Sequence, residues 1–349
     1  MICALGACAP TLPPAWHDAM AAADRAHHAG REAEAAAGYD QAAREASRPH
    51  DRNEAEFRAA MSLARTGDRA GALARLDRVA ASSPDFERGA RAAYEAAMIR
   101  REGSAEERAR ASRDLDALVR ARSETGPARV AVERVLHALD EGDPSMARSL
   151  AWIDEALADT RLTALSLRAS LRAERAIRLA RAGRRADAVA AWRSLFVDSP
   201  HPQNSRWDDG HMALAALLRA AGDSRGAVEA LDEMLAVADP TCTGGTCNAP
   251  ELQEGGILRG EILRDDLREL ARAAEAFRWT YEMFPSSRLR DDALEGEAIA
   301  RERLADGSAC AVWVRLAREF PCTRRGRRGR ERAAACGQSP EAPASDACE

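Results

Sequence analysis

Glycine residues recur along the chain at an almost constant interval, and this spacing restricts the possible folds more than any other feature. Six of them are 36 to 41 residues apart, and a seventh follows after 85 residues, or about two intervals. They are Gly30, Gly67, Gly103, Gly142, Gly183, Gly222 and Gly307. Around each glycine, an alanine-rich stretch is followed by a turn and a second helical stretch. The spacing predicts eight helical hairpins, with glycine supplying the positive φ that ends each first helix.

The amino-acid composition favours helices and removes several classes of enzyme. Alanine accounts for 80 residues and only 15 residues are aromatic, so helix-favouring residues outnumber strand-favouring ones. All 51 basic residues are arginine. Without lysine, the chain cannot be a phosphate-loop NTPase, a protein kinase or a pyridoxal enzyme, because each needs a lysine side chain. The net charge of -5 gives no overall basic field, so we expect no nucleic-acid partner.

The second helix of most hairpins carries an alanine, a large residue four positions later, and in most cases a proline about eight positions further on. The sets are Ala35 and Tyr39; Ala72, Leu76 and Pro84; Ala188, Trp192 and Pro200; Ala227, Leu231 and Pro240; Ala273, Phe277 and Pro285; and Ala309, Trp313 and Pro321. This pattern resembles the tetratricopeptide repeat (TPR) family. The resemblance implies an all-α fold, a right-handed α-solenoid of about eight hairpins whose concave face binds extended or helical segments of other proteins.

The resemblance covers residues 16–335, with divergent third and fourth hairpins at about 88–160 where the pattern is poor. We expect residues 1–15 to be a lipoprotein signal remnant and tether. Residues 336–349 contain no helical periodicity, so we expect a disordered tail. In the C-terminal part, Phe284–Ser287 and Asp291–Leu294 are similar to bacterial envelope TPR lipoproteins, of the outer-membrane assembly or Tol-Pal-associated type.

The first residues contain a short motif that bears on localisation. Leu5-Gly6-Ala7-Cys8 resembles the lipobox of bacterial lipoproteins, in which the cysteine receives the lipid. The charged and apolar regions that precede a lipobox are missing. Either the true start lies upstream of Met1, or the match arises by chance in a stretch rich in alanine and glycine. The first alternative predicts a periplasmic protein anchored to the envelope through Cys8, and the second leaves a cytoplasmic protein.

The cysteines also bear on the compartment. The chain has eight, and setting aside Cys3 and Cys8 leaves an even number. We expect disulfides in an oxidising compartment, with pairs Cys242–Cys247, Cys310–Cys336 and Cys322–Cys348. The alternatives are free thiols in the cytosol, or a metal site at the first pair. Zinc normally needs a second close pair of ligands, which the sequence lacks, so we expect neither a metal nor a cofactor.

Two short motifs have both a structural and a functional interpretation. Arg324–Arg330 contains five arginines in seven residues, which would either bind phosphate groups or form the solvated start of a helix. Gly222–Gly226 has the G-x-S-x-G form of a hydrolase nucleophile, but that motif must follow a strand and here a helical stretch precedes it. We interpret it as a repeat turn and assign no catalytic residue.

The sequence therefore predicts a non-enzymatic scaffold for protein–protein interaction in envelope assembly or maintenance. The alternatives are a cytoplasmic TPR adaptor and the helical support region of a hydrolase such as a lytic transglycosylase, which needs a separate catalytic domain. By resemblance, the partner-binding positions lie on the first helices of the sixth to eighth hairpins, within a groove spanning hairpins five to eight. They are Asp209, Met212, Arg219, Ile257, Glu261, Arg264, Leu294 and Arg301. A solvated helical face is the alternative interpretation of these residues.

Overall fold

The structure, a computed structural model, describes residues 13–82, 87–241, 249–338 and 340. In these residues the chain is all-α, with seventeen α-helices, a π-helical turn at Ile262–Asp266 and no β-strand. None of these helices is both long and apolar enough to cross a membrane. The helices are α1 (Pro14–His28), α2 (Glu32–Glu45), α3 (Pro49–Thr66), α4 (Arg69–Ser82), α5 (Glu87–Arg101), α6 (Ala105–Ala121), α7 (Gly126–Asp140), α8 (Ala147–Ala158), α9 (Leu165–Arg181), α10 (Arg185–Asp198), α11 (Trp207–Ala220), α12 (Ser224–Leu235), α13 (Pro250–Glu261), α14 (Leu270–Met283), α15 (Arg290–Arg303), α16 (Ala309–Glu319) and α17 (Arg324–Ala335).

The helices form helical hairpins, from α1 with α2 to α7 with α8 and from α9 with α10 to α15 with α16. The last helix, α17, packs on α16. The chain divides into two compact units between Arg168 and Ala169, a boundary that lies in α9. Unit 1 contains α1 to α8, and unit 2 contains most of α9 and the helices from α10 to α17. The predicted fold class, an all-α solenoid built from about eight hairpins, is confirmed.

Glycine ends most of the first helices, as the spacing predicts. Five of the seven repeat glycines have φ between 70° and 88°, a conformation that glycine adopts without a steric penalty. They are Gly30, Gly67, Gly142, Gly183 and Gly222. The prediction is wrong for Gly307, because Ala305 has the positive φ of 57° after α15. It is also wrong for Gly103, which precedes Ser104, and there the Ser104 and Glu107 side chains cap α6 through reciprocal hydrogen bonds.

The alanine and the large residue of the repeat pattern are buried between helices. Ala35, Ala72, Ala188, Ala227 and Ala273 are all 0% exposed. The large residues are at most 2% exposed, and they are Tyr39, Leu76, Trp192, Leu231, Phe277 and Trp313. Small alanine side chains let two helices approach closely, and the larger residue fills the space that remains. The pattern therefore marks the core of each hairpin stack.

In unit 1, a buried arginine connects three neighbouring helices through ion pairs. Arg100 on α5 is only 4% exposed. Its guanidinium donates to the Asp77 carboxylate on α4 at 2.5 Å and to the Asp114 carboxylate on α6 at 3.0 Å. Because a guanidinium presents several N–H donors in one plane, this single side chain neutralises carboxylates from two helices.

In unit 2, the Phe277 ring on α14 lies between two glycines of neighbouring helices. A Cβ atom placed on Gly260 of α13 would lie 2.6 Å from the ring, and one placed on Gly296 of α15 would lie 2.5 Å from it. These distances are too short for real contacts, so both positions need glycine while phenylalanine occupies the site. The ring thus takes the space that two side chains would otherwise fill.

The end of unit 2 is held by a disulfide. Cys310 in the first turn of α16 and Cys336 after α17 form a bond with Cα atoms 6.1 Å apart, which confirms this predicted pair. Cys322 is also disulfide-bonded. Its predicted partner Cys348 lies outside the described residues, as do Cys242 and Cys247. The glycine-rich face of α17 packs closely on α16, since a Cβ on Gly329 would lie 3.0 Å from the Trp313 carbonyl oxygen.

Candidate protein-binding surfaces

The apolar residues predicted to anchor a partner in unit 2 contribute to its core. Leu294 on α15 is 0% exposed, so its prediction as a binding residue is wrong. Met212 on α11 and Ile257 on α13 are half-buried and pack against the core clusters of unit 2. The repeat pattern indicates which side of a helix turns away from its hairpin partner. It does not indicate how much of that side other helices cover, and Leu294 is buried in a cluster with Tyr281 of α14, Trp313 of α16 and Ala333 of α17.

The charged residues predicted beside them are engaged within the chain. Arg219 on α11 donates to Asp266 at 2.7 Å, Arg264 donates to Asp265 at 2.6 Å, and Arg301 on α15 donates to Glu297 at 2.8 Å. The hydrogen bond from Arg264, supported by Arg303, lowers the pKa of the Asp265 carboxyl to about 2. Arg219 connects α11 to the turn of the seventh hairpin, whereas Arg264 bonds within that turn and Arg301 within α15. A partner would have to compete for all three.

The remaining two predicted residues are more accessible. Asp209 on α11 is exposed and forms a 3.4 Å ion pair with Arg206, one turn earlier. Glu261 at the end of α13 is half-buried. The structure therefore places the predicted residues on successive first helices, except for Arg264, which lies in the π-helical turn after α13. It does not bring them together as an open groove with apolar anchors.

The arginine-rich stretch Arg324–Arg330 forms the first part of α17 and faces acidic residues of α15. Arg325 contacts Asp292 and forms a 3.3 Å ion pair with Glu295. Arg328 reaches Glu295 at 3.1 Å. Burial raises the pKa of the Asp292 carboxyl to about 6, although the Arg325 guanidinium lowers it. These pairs support a structural role for the stretch, in which α17 is attached to α15.

The G-x-S-x-G stretch forms the turn between α11 and α12, as predicted. The Asp223 carboxylate accepts a hydrogen bond from the Gly226 N–H at 2.9 Å and so caps α12. The Ser224 hydroxyl donates to Asp266 at 3.3 Å. Among the described residues, no group of three or more His, Cys, Asp or Glu side chains could hold a metal ion.

A cleft of about 330 Å³ opens in unit 1 on the first helices of three successive hairpins. Its lining comes from α1, α2, α3 and α5. Phe57 and Met61 give it an apolar wall, and Arg58, Arg65 and Arg91 bring three guanidinium groups to it. The other lining residues are Asp24, His27, His28, Tyr39 and Ser62. The sequence contains no signal for this site, because its lining residues come from four helices and form no short motif.

One side of the cleft is fixed by a hydrogen-bond network. The Tyr39 hydroxyl donates to Asp24 at 2.6 Å, and Arg58 donates to the same carboxylate oxygen at 2.8 Å. Burial raises the pKa of Asp24, but these two donors outweigh burial and lower it. Burial and the contact with Asp24 raise the pKa of Tyr39 to about 12. The carboxylate is therefore charged at neutral pH, and Arg58 is held in place.

The other two arginines are only loosely held. Arg65 is 3.8 Å from Glu32, and Arg91 is 3.7 Å from Glu95, with half or more of each guanidinium side chain exposed. Such exposed pairs contribute little and are easily exchanged. Both guanidinium groups can therefore turn towards an anionic group that enters the cleft beside the Phe57 ring.

In unit 2, a buried histidine lies in a cluster of aromatic rings. His211 on α11 is 0% exposed and stacks on Phe196 with ring centroids 3.8 Å apart. The Trp207 ring also packs against it, with centroids 4.3 Å apart, and the Trp207 carbonyl oxygen lies 2.6 Å from His211 Nδ1. Nε2 is buried, and the Glu233 carboxylate lies 3.5 Å from it. Burial lowers the pKa of His211, although Trp207 and the carboxylates of Glu233 and Asp208 oppose this.

This environment predicts a pH dependence of stability. An unfolded histidine, with a pKa of about 6.5, takes up a proton before the folded one does, so the stabilisation is complete above that pH and decreases below it. We expect His211→Phe to remove this part of the pH dependence, because phenylalanine keeps the ring packing and cannot be protonated. The measurement is chemical unfolding of both proteins at pH 7.5, 6.5 and 5.5. A constant difference between them over this range would contradict the prediction.

Comparison with known proteins gives structural similarity only. No protein-family model matches the chain, and no curated protein matches it. A TPR protein from Parabacteroides merdae is 15% identical, with 82% of this chain and 99% of that chain covered and a TM-score of 0.34. Yeast Tom70 is 14% identical, with 87% and 60% covered and a TM-score of 0.38. The TPR2AB domain of yeast Sti1, in a complex with pHSP90, is 13% identical, with 93% and 98% covered and a TM-score of 0.30.

Proposed function

We propose that this chain is a non-enzymatic scaffold that binds segments of other proteins, and that the cleft of unit 1 is one of its binding sites. The cleft is the observation that supports this proposal. It joins three successive hairpins, so a bound segment would contact several repeats at once, as the resemblance to TPR proteins implies. Its volume of about 330 Å³ suits one or two side chains of such a segment.

The chemistry of the cleft defines the segment. Arg65 and Arg91 offer exposed guanidinium groups, and Arg58 adds a third that the Asp24 network holds in place. Phe57 is 7% exposed and supplies a flat apolar contact. Arginine forms two parallel hydrogen bonds with a carboxylate, which gives both energy and orientation. We therefore propose a segment with an acidic side chain next to an apolar one.

Reversing the charge of the two loosely held arginines tests this proposal. The probe is a fluorescein-labelled peptide with one leucine between two pairs of aspartates, and its counterpart has asparagine in place of aspartate. We expect the double variant Arg65→Glu, Arg91→Glu to bind the aspartate peptide at least about tenfold more weakly, because attraction becomes repulsion. Fluorescence anisotropy measures the affinity.

The matched control is Arg113→Glu, Arg129→Glu, which changes two exposed arginines of unit 1 outside the cleft and gives the same net charge. It should bind the peptide almost as tightly as the unchanged protein. Equal affinities for both double variants would contradict the cleft as the site. Equal binding of the aspartate and asparagine peptides would contradict the acidic segment.

We also propose that the protein works in an oxidising compartment, as a periplasmic protein anchored to the envelope. The disulfide between Cys310 and Cys336 supports this, since structural disulfides persist mainly outside the reducing cytosol. Lipid attachment to Cys8 stays a prediction from the lipobox resemblance, and this residue lies outside the described residues. The alternative is a cytoplasmic adaptor in which the same cysteines remain reduced.

A further inference from the structure

A second cleft lies in unit 2 and is lined by residues of α10, α11 and α12. Its volume is about 400 Å³, within the range of ligand pockets. Its floor is apolar and consists of Phe196, Leu214, Leu218 and Ala230, which are 3% to 9% exposed. Although Leu214 and Leu218 belong to the first helix α11, none of the predicted partner-binding residues lines this cleft.

The floor of this cleft is preformed. Phe196 stacks between neighbouring aromatic rings, with its centroid 5.9 Å from that of Trp192 and 3.8 Å from that of His211. The four floor residues all belong to the main core cluster of unit 2. A group that enters the cleft would therefore meet an ordered apolar surface, and binding would cost little rearrangement of the protein.

The rim of the cleft combines an exposed apolar side chain with a negative balance of charge. Val197 on α10 is 82% exposed, which is unusual for a large apolar residue beside an apolar cleft. Glu229 and Glu233 stand one helical turn apart on α12, and both are exposed, although one carboxylate oxygen of Glu233 lies 3.5 Å from His211 Nε2. Arg193 on α10 is the basic residue among those that line the cleft. The rim thus presents two carboxylates on one side and one guanidinium on the other.

We propose that this cleft binds a segment of a partner protein that inserts one apolar side chain and places basic residues against α12. The apolar floor and Val197 together would cover the inserted side chain. The two glutamates would pair with basic residues on one side of it, which fixes the direction of the segment. The unit 1 cleft has the opposite charge, so the two clefts select different segments. This proposal goes beyond the proposed function, because it does not use the unit 1 site.

The experiment uses the full chain and a synthetic peptide as the probe. The fluorescein-labelled peptide has one phenylalanine between two pairs of lysines. We expect Glu229→Arg, Glu233→Arg to bind it about tenfold more weakly than the unchanged protein by fluorescence anisotropy, because both rim attractions become repulsions. We expect Val197→Ser to bind it about threefold more weakly without a change in Tm, because the valine is exposed in the free protein.

The control is Glu275→Arg, Glu282→Arg, two exposed glutamates of α14 whose replacement changes the net charge equally. It should bind the lysine peptide as the unchanged protein does. The proposal is overturned if the unchanged protein fails to bind the peptide below 1 mM, or if Glu229→Arg, Glu233→Arg and the control weaken binding equally. Unchanged affinity of Glu229→Arg, Glu233→Arg for the lysine peptide would overturn it as well. The unit 1 variant Arg65→Glu, Arg91→Glu should keep its affinity for this peptide, which separates the two proposals.

Discussion

Replacing Phe277 by alanine should lower the free energy of unfolding of unit 2 by about 3–5 kcal/mol. The ring is 1% exposed and lies between Gly260 and Gly296, neither of which has a side chain that could fill the space left behind. The variant would therefore lose buried apolar contact and also contain a cavity. Chemical unfolding monitored by circular dichroism gives the change in free energy.

At the same site, the effect of Gly296→Ala on the stability of unit 2 should change sign when Phe277 is replaced. In the unchanged protein, Gly296→Ala should destabilise unit 2 by about 1–3 kcal/mol, because its Cβ would lie 2.5 Å from the ring. After Phe277→Ala, the added methyl group enters the cavity, and the better helix propensity of alanine should make the same change stabilising by about 1 kcal/mol. As a control, Leu76→Ala in unit 1 should leave the effect of Gly296→Ala unfavourable. If Gly296→Ala had the same effect in all three backgrounds, the ring would not require the glycine.

Removing the disulfide at the end of unit 2 should have the next largest effect. The bond joins residues 26 positions apart, and the chain-entropy relation gives about 3.5 kcal/mol for a loop of this length. We expect the double variant Cys310→Ser, Cys336→Ser to unfold at lower denaturant concentration under non-reducing conditions. Amide hydrogen exchange should become faster in α16 and α17 and stay unchanged in α1 to α4, since the bond constrains only the last helices.

A double serine variant is preferable to a reducing agent, because reduction would also open the bond at Cys322. The control is the unchanged protein treated with the reducing agent, which should be at least as destabilised as the variant. An unchanged unfolding midpoint for the variant would show that packing of α17 on α16 alone determines the stability of this region.

The positions of the hairpins were predictable because they depend on local features. A glycine with positive φ after the first helix and an alanine four residues before a large residue each reflect a short-range requirement of the backbone or the core. The exceptions have no such local signal. Ala305 and Arg268 adopt φ of 57° and 58° without being glycine, so the packing of the flanking helices imposes this conformation there.

The binding surfaces were less predictable, because they depend on contacts between distant residues. The Arg219 partner, Asp266, is 47 positions away, and the repeat pattern contains no information about that pairing. The burial of Leu294 likewise depends on helices before and after it, because its cluster includes Tyr281 of α14 and Trp313 of α16. The unit 1 cleft combines residues from α1, α2, α3 and α5 that only the fold brings together. The family resemblance predicts where the helices lie, whereas contacts between distant side chains determine which surfaces remain exposed.

Arg100 bridges two carboxylates through a guanidinium group. Because the chain has no lysine, every ion pair whose basic side chain is not histidine uses such a group. A guanidinium stays protonated up to about pH 12, whereas a lysine amine loses its charge near pH 10.4. The links between helices should therefore persist in alkaline solution where lysine pairs would be discharged. A chain without lysine also has no ε-amine for acetylation, methylation or attachment of ubiquitin, so regulation by side-chain modification must act on other residues.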